Sequence, residues 1–209
     1  MNFDYTLYLV TDRTLMSTAT LQEAVEQAVL GGCTMVQLRE KNISSFDFYN
    51  LAMEIKSITS KHHVPLIIND RIDIALSVGA EGVHIGQNDI PASAARKIIS
   101  QDMLLGVSAS CLSEAMQAQK YGADYLGVGA MFTTGTKTDA KIVSMGELRK
   151  IREAVPIPIV AIGGINKENA PEFIDAGLNG VAVVSAIIAQ PDIKQASVEL
   201  KKCLVERKI

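Results

Sequence analysis

The sequence predicts a closed (β/α)8 barrel, one α/β domain spanning residues 1–209. Three observations carry this. Eight short apolar runs alternate with amphipathic helical patterns, and several runs are apolar on both faces, as parallel strands covered by helices are. Polar residues of unusual type gather at the C-terminal ends of at least six runs, which suits a ring closed around one mouth. An open doubly wound sheet would instead gather them at one switch point. The 209 residues leave roughly 26 for each βα unit, tight but sufficient for the barrel.

The elements follow in order. Leu7–Thr11 is the first apolar run. Leu21, Ala24, Val25, Ala28 and Val29 then repeat at i, i+3, i+4, i+7, i+8, behind a Thr20-x-x-Glu23 capping box. Gly31-Gly32 stops that helix before the second run, Met35–Leu38; Phe48, Leu51, Ala52, Ile55 and Ile58 mark the second helix. The third run is Leu66–Asn69, followed by a helix at 71–78. Gly79 precedes the fourth, Gly82–Gly86, and Pro91 suits the first turn of the helix after it. Leu104–Ser108 is the fifth, and Gly122 precedes the sixth, Tyr125–Gly129. Ser144-x-x-Glu147 opens the next helix, before Ile159–Ile162; Gly177 precedes the last run, Gly180–Val184.

Composition narrows the function classes. Hydrophobic residues are 48 % and charged ones 21 %, an ordinary globular mixture. Twenty Lys+Arg against twenty-three Asp+Glu, a net charge of −3, excludes the basic footprint of a general nucleic-acid binder. An anionic ligand must therefore be held by a few placed cations and backbone N–H groups. Cys33, Cys111 and Cys203 are odd in number and lack C-x-x-C spacing, so a disulfide framework or zinc site is not expected. Asp4 and Asp12 lie in the N-terminal apolar stretch, unlike a signal peptide, and the longest apolar run is far too short for a membrane span. A soluble cytoplasmic protein is expected, with no nucleic-acid or membrane partner; homo-oligomerisation is left open.

The strand ends carry the chemistry. In Gln37-Leu38-Arg39-Glu40-Lys41, alternation sends Gln37, Arg39 and Lys41 to one side and Leu38 and Glu40 to the other. Two cations beside an amide form a clamp for a phosphorylated or diphosphorylated ligand; the same spacing fits a solvated strand end paired through Glu40. Asp70 and Asp89 end adjacent strands and face this clamp, a setting for Mg²⁺, which takes one or two carboxylates plus phosphate oxygens. Taken singly, each also reads as a helix cap. His84, mid-strand among apolar residues, reads as packed rather than catalytic. Ser108 offers a hydroxyl, and Thr133-Thr134-Gly135-Thr136-Lys137 supplies donors with little bulk, as an oxyanion or planar heterocycle requires and as many surface loops also do. Gly163-Gly164 and Val184-Ser185 end the seventh and eighth strands, where barrels frequently bind phosphate through backbone N–H groups. Two anion sites across one mouth suit the joining or exchange of two phosphorylated molecules, by departure of a good leaving group rather than attack by a protein nucleophile.

These motifs, with Asn69-Asp70, Gly82-Val83-His84-Ile85-Gly86-Gln87, Gly106-Val107-Ser108, Val160-Ala161-Ile162-Gly163-Gly164-Ile165 and Val184-Ser185-Ala186, resemble the thiamine-phosphate synthase family, in family order and over nearly the whole chain. The resemblance implies a (β/α)8 enzyme that joins 4-amino-5-hydroxymethyl-2-methylpyrimidine diphosphate to 4-methyl-5-(2-phosphoethyl)thiazole, giving thiamine phosphate and diphosphate by a dissociative substitution. It further implies that Gln37, Leu38, Arg39, Glu40, Lys41, Asn69, Ser108 and Lys137 bind the pyrimidine diphosphate, with Arg39, Lys41, Ser108 and Lys137 catalytic. Asp70 and Asp89 would hold Mg²⁺, and Thr134, Gly135, Thr136, Gly164, Val184 and Ser185 the thiazole phosphate. Thr133 stands where the family pattern has proline.

Three alternatives differ in their residues. The related thiazole tautomerase, an isomerase on the same barrel, uses a histidine where this chain has Ser110, and lacks the full acidic pair. A Schiff-base aldolase would need Lys137 desolvated, whereas it sits among threonines. A non-catalytic precursor-binding protein would bind without turnover.

Overall fold

The structure is a computed structural model and describes residues 3–133, 135 and 141–206. The both-face apolar runs form β1 (Leu7–Val10), β2 (Met35–Leu38), β3 (Leu66–Asn69), β4 (Gly82–Ile85), β5 (Leu104–Ala109), β6 (Tyr125–Val128), β7 (Ile159–Ile162) and β8 (Gly180–Val183). All neighbours are parallel and the order is sequential. The ring closes where Leu7, Tyr8 and Leu9 pair with Val181, Ala182 and Val183. The predicted barrel is thus observed. β1, β4, β6 and β8 end one residue earlier than expected, and β5 runs one residue longer.

Alternation splits the core in two. Tyr8, Met35, Ile67, Leu104, Tyr125 and Val160 point inward and fill the barrel, while Leu9, Val36, Ile68 and Val83 point outward under the helices. α1 (Leu21–Leu30) buries the five residues of the predicted stripe, and α2 (Ser45–Lys61) buries Phe48, Ala52 and Ile55. α3 (Ile72–Val78), α4 (Ala92–Ile98), α5 (Leu112–Lys120), α6 (Met145–Ala154) and α7 (Ala170–Asp175) continue the ring. Two helices follow β8: the short α8 (Ser185–Ile188), which the sequence analysis did not anticipate, and α9 (Ile193–Val205), which completes the outer layer.

Thr20 and Ser144 accept the N–H of Glu23 and Glu147 at 3.2 and 3.1 Å, as N-caps do. Glu147 does more than complete its box: its Oε1 accepts the N–H of Leu112 at 2.9 Å and ties α6 to α5. Pro91 is the N-cap of α4 rather than a residue of its first turn. Gly79 and Gly177 adopt φ of 63° and 80° beyond their helices, the left-handed turn expected of them.

Two buried acids of the core predict sensitivity to alkali. Burial pushes the Cys33 thiol from 9.0 to about 12, and burial with Asp124 pushes the Tyr5 phenol from 10.0 to about 12. Above about pH 9 the unfolded chain therefore binds fewer protons than the folded one, so stability falls as pH rises until the folded groups also ionise. We predict a urea midpoint that declines steadily from about pH 9 to 11. Cys33→Ala should flatten the early part of the decline; a pH-independent midpoint would refute the assignment.

Candidate active site

The C-terminal strand ends open into a cavity of about 540 Å³. Gln37, Arg39 and Lys41 line it from β2, as alternation predicts. Thr11, fully buried at the end of β1, accepts the Arg39 N–H at 3.0 Å and fixes where the strand leaves the ladder. Leu38 and Glu40 do not present side chains there. Leu38 is buried under the helices, and Glu40 accepts from Arg13 Nη2 at 2.7 Å. Neither residue lines the cavity, because alternation points both the other way, so the ligand role that the resemblance gives them has no side-chain contact there.

Asn69, Asp70 and Asp89 line the neighbouring wall. Asn69 ends β3 and lines the cavity, with its Nδ2 buried and, among the described residues, without a hydrogen-bond partner. Lys41 Nζ lies 2.5 Å from Asp70 Oδ2. Burial raises the Asp70 carboxyl above the usual range, the adjacent Asp89 carboxyl raises it further, and Lys41 opposes both. Neither acid caps a helix through its side chain. Asp70 has φ of 61° and precedes Arg71, the N-cap of α3, while Asp89 Oδ2 turns back to accept the Gly86 N–H at 2.7 Å. Two carboxylates pressed together at the wall of this cavity are what a hard dication relieves, so the residues fit Mg²⁺. Among the described residues no cluster of three or more His, Cys, Asp or Glu that could hold a metal forms.

Ser108 lines the far wall from β5, and its carbonyl accepts from Gln87 Nε2 at 2.6 Å. His84 is packed, as expected, yet it also reaches the cavity, with Nε2 at 3.0 Å from Ser108 Oγ. Beneath it Tyr8 and Val10 form part of the floor. Sequence reasoning missed these, because a tyrosine inside an apolar run reads as core. Ser110, the position that matters for the tautomerase alternative, lies outside the cavity lining and is tied back to Glu114 through N–H and Oγ at 2.6 and 2.9 Å.

On the opposite side, Gly163 and Gly164 turn with φ of 100° and 68°, and both line the cavity with Val184 and Ser185. The loop after β6 is stitched to this turn: the N–H groups of Met131 and Phe132 donate to Ile162 O and Gly163 O at 2.9 and 3.0 Å. Phe132 also meets the fully buried Phe173 edge-on, with ring centroids 6.2 Å apart. Gly135 is exposed; Thr134, Thr136 and Lys137 lie outside the described residues. Among the described residues no helix is long and apolar enough to cross a membrane.

The family model described as thiamine monophosphate synthase matches residues 7–187. A thiamine-phosphate synthase of Clostridium beijerinckii is 64 % identical over 198 residues, covering 95 % of each chain. Another, of Ruminiclostridium cellulolyticum, is 62 % identical over 204 residues, covering 98 % of this chain and 97 % of the relative. The solved thiamine phosphate pyrophosphorylase of Pyrococcus furiosus superposes with a TM-score of 0.91 at 40 % identity, covering 98 % of this chain and 97 % of that one.

Proposed function

The chain belongs to the thiamine monophosphate synthase family, and from that membership and the geometry of the mouth we infer that it joins a pyrimidine-methyl diphosphate to a thiazole phosphate, forming thiamine phosphate and releasing diphosphate. The observation that carries the reading is the division of one mouth into a cationic, acidic wall at β2–β4 and a glycine-built wall at β7–β8. Each wall suits one phosphorylated substrate.

Arg39 and Lys41 bind the diphosphate and stabilise the negative charge that grows on it as the bond to the pyrimidine methylene breaks. Asn69 and Gln37 orient the pyrimidine with directed amide groups, and Ser108 donates to it from the far wall. Asp70 and Asp89 would hold Mg²⁺, which when bound supplies further positive charge to the diphosphate oxygens. Gly163 and Gly164 let main chain approach the thiazole phosphate, and Ser185 adds a hydroxyl, so the thiazole nitrogen faces the methylene carbon that the diphosphate leaves. Lys137, by the family resemblance, adds a third cation to the leaving group. Ser110 stands where an isomerase of this barrel would need a histidine, and it is tied to Glu114 outside the cavity lining.

The test is diphosphate release with both precursors and Mg²⁺, leaving out each in turn. Release that requires all three components supports the reading. Release without the thiazole phosphate at the full rate, or rearrangement of a thiazole without the pyrimidine, would replace it.

A further inference from the structure

Under the mouth runs a buried chain of hydrogen bonds that joins two of its walls. Gln37 Nε2 donates to the Tyr8 hydroxyl at 2.8 Å; that hydroxyl meets the Tyr125 hydroxyl at 2.9 Å; Tyr125 meets His84 Nδ1 at 3.1 Å; and His84 Nε2 meets Ser108 Oγ at 3.0 Å. Tyr8 and Tyr125 are wholly buried, and burial holds both phenols protonated far above neutral pH.

Such a chain has a direction. With Gln37 donating at one end, the arrangement that gives every buried proton of the chain an acceptor has Tyr8 donating to Tyr125 and Tyr125 donating to His84 Nδ1; the reverse order would leave the buried Tyr8 proton without one. Nδ1 is then an acceptor, so the imidazole carries its proton on Nε2 and donates to Ser108 Oγ. The Ser108 hydroxyl, already accepting, has its own proton left for the cavity. The backbone makes room for this arrangement. A Cβ on Gly106 of β5 would lie 2.3 Å from the Tyr125 hydroxyl and 2.5 Å from His84 Nδ1, so a side chain there cannot coexist with the bond between them.

We propose that Tyr8 and Tyr125 are positioning residues: they lock His84 as its Nε2–H tautomer and thereby turn the Ser108 hydroxyl into a fixed donor toward the pyrimidine diphosphate. The role assigned to Ser108 rests on the function proposed above; the tautomer does not. Fixing the donor before substrate arrives removes a reorganisation step from the bond cleavage.

The experiment reads the imidazole nitrogens of the free full-length enzyme by ¹⁵N NMR, with His84→Gln assigning the signal among the three histidines. The expected result is a pyridine-type Nδ1 and a protonated Nε2. A protonated Nδ1 in the unsubstituted enzyme overturns the proposal outright. Tyr125→Phe removes the donor to Nδ1, and should give mixed tautomers and a kcat lowered about tenfold, with the thiazole phosphate KM within about twofold. Tyr8→Phe keeps Tyr125 as donor, and should keep the tautomer with a rate loss of about threefold or less. An unchanged tautomer and unchanged kcat in Tyr125→Phe also overturn the proposal. If the tautomer is as expected but no diphosphate is released from any substrate pair, it is the assigned reaction that fails.

Discussion

Asp70→Ala should lower diphosphate release on the order of a hundredfold to a thousandfold, and excess Mg²⁺ should restore only part of it. Asp70 is one of two carboxylates on the wall that holds the cationic clamp, and it is the one that Lys41 touches at 2.5 Å. Removing it leaves Asp89 as the remaining carboxylate of the pair and frees Lys41 to turn toward solvent. The substitution has to be separated from damage to the fold, because Asp70 has φ of 61°, where most side chains are strained. Asp70→Asn is the control. Asparagine tolerates the left-handed backbone as aspartate does, so thermal stability should stay within about 1 kcal/mol while activity is still lost. The measurement is a Mg²⁺ titration of steady-state rate for each variant beside its urea midpoint. Full activity of either variant in the presence of chelator would refute metal ligation by Asp70.

What the sequence reveals and conceals here follows from distance along the chain. The eight strands are legible because burial on both faces leaves runs such as Leu66–Asn69 with no polar alternation to mislead, and because left-handed glycines such as Gly79 and Gly177 mark where helices end. The clamp is legible because strand alternation is local: Gln37, Arg39 and Lys41 need only each other to be placed on one side. His84 is different. Its meaning depends on Tyr125, 41 residues away, and on Ser108, 24 residues away, and the link from Tyr8 to Tyr125 spans 117 residues. No local pattern distinguishes a packed histidine from one whose two nitrogens are both committed. The same holds for Glu40, whose partner Arg13 comes from the loop after β1. The first helix after β8 was missed for another reason: at four residues α8 is too short to leave a period.

The other large effect lies across the mouth. Gly164→Ala should raise the KM for thiazole phosphate on the order of tenfold or more and lower stability by about 2–3 kcal/mol. Two costs combine. At φ of 68° an alanine is strained by roughly 1–2 kcal/mol. Its Cβ would also lie 2.6 Å from Phe132 Cβ and 3.1 Å from Thr133 O, distances that force the loop after β6 to move. That loop cannot yield cheaply, since Phe132 donates to Gly163 O and packs edge-on against the buried Phe173. The displaced main chain is the surface proposed to meet the thiazole phosphate, whereas the diphosphate clamp stands on β2–β4, so the pyrimidine diphosphate KM should move by about twofold or less. Gly177→Ala separates strain from contact. Gly177 has φ of 80° with no atom of the described residues within 4 Å of where a Cβ would sit, at the far end of α7. It should show the backbone cost alone, with both KM values unchanged. Equal rises in both KM values for Gly164→Ala, or a thiazole-specific rise for Gly177→Ala, would move the thiazole phosphate away from the β7 turn.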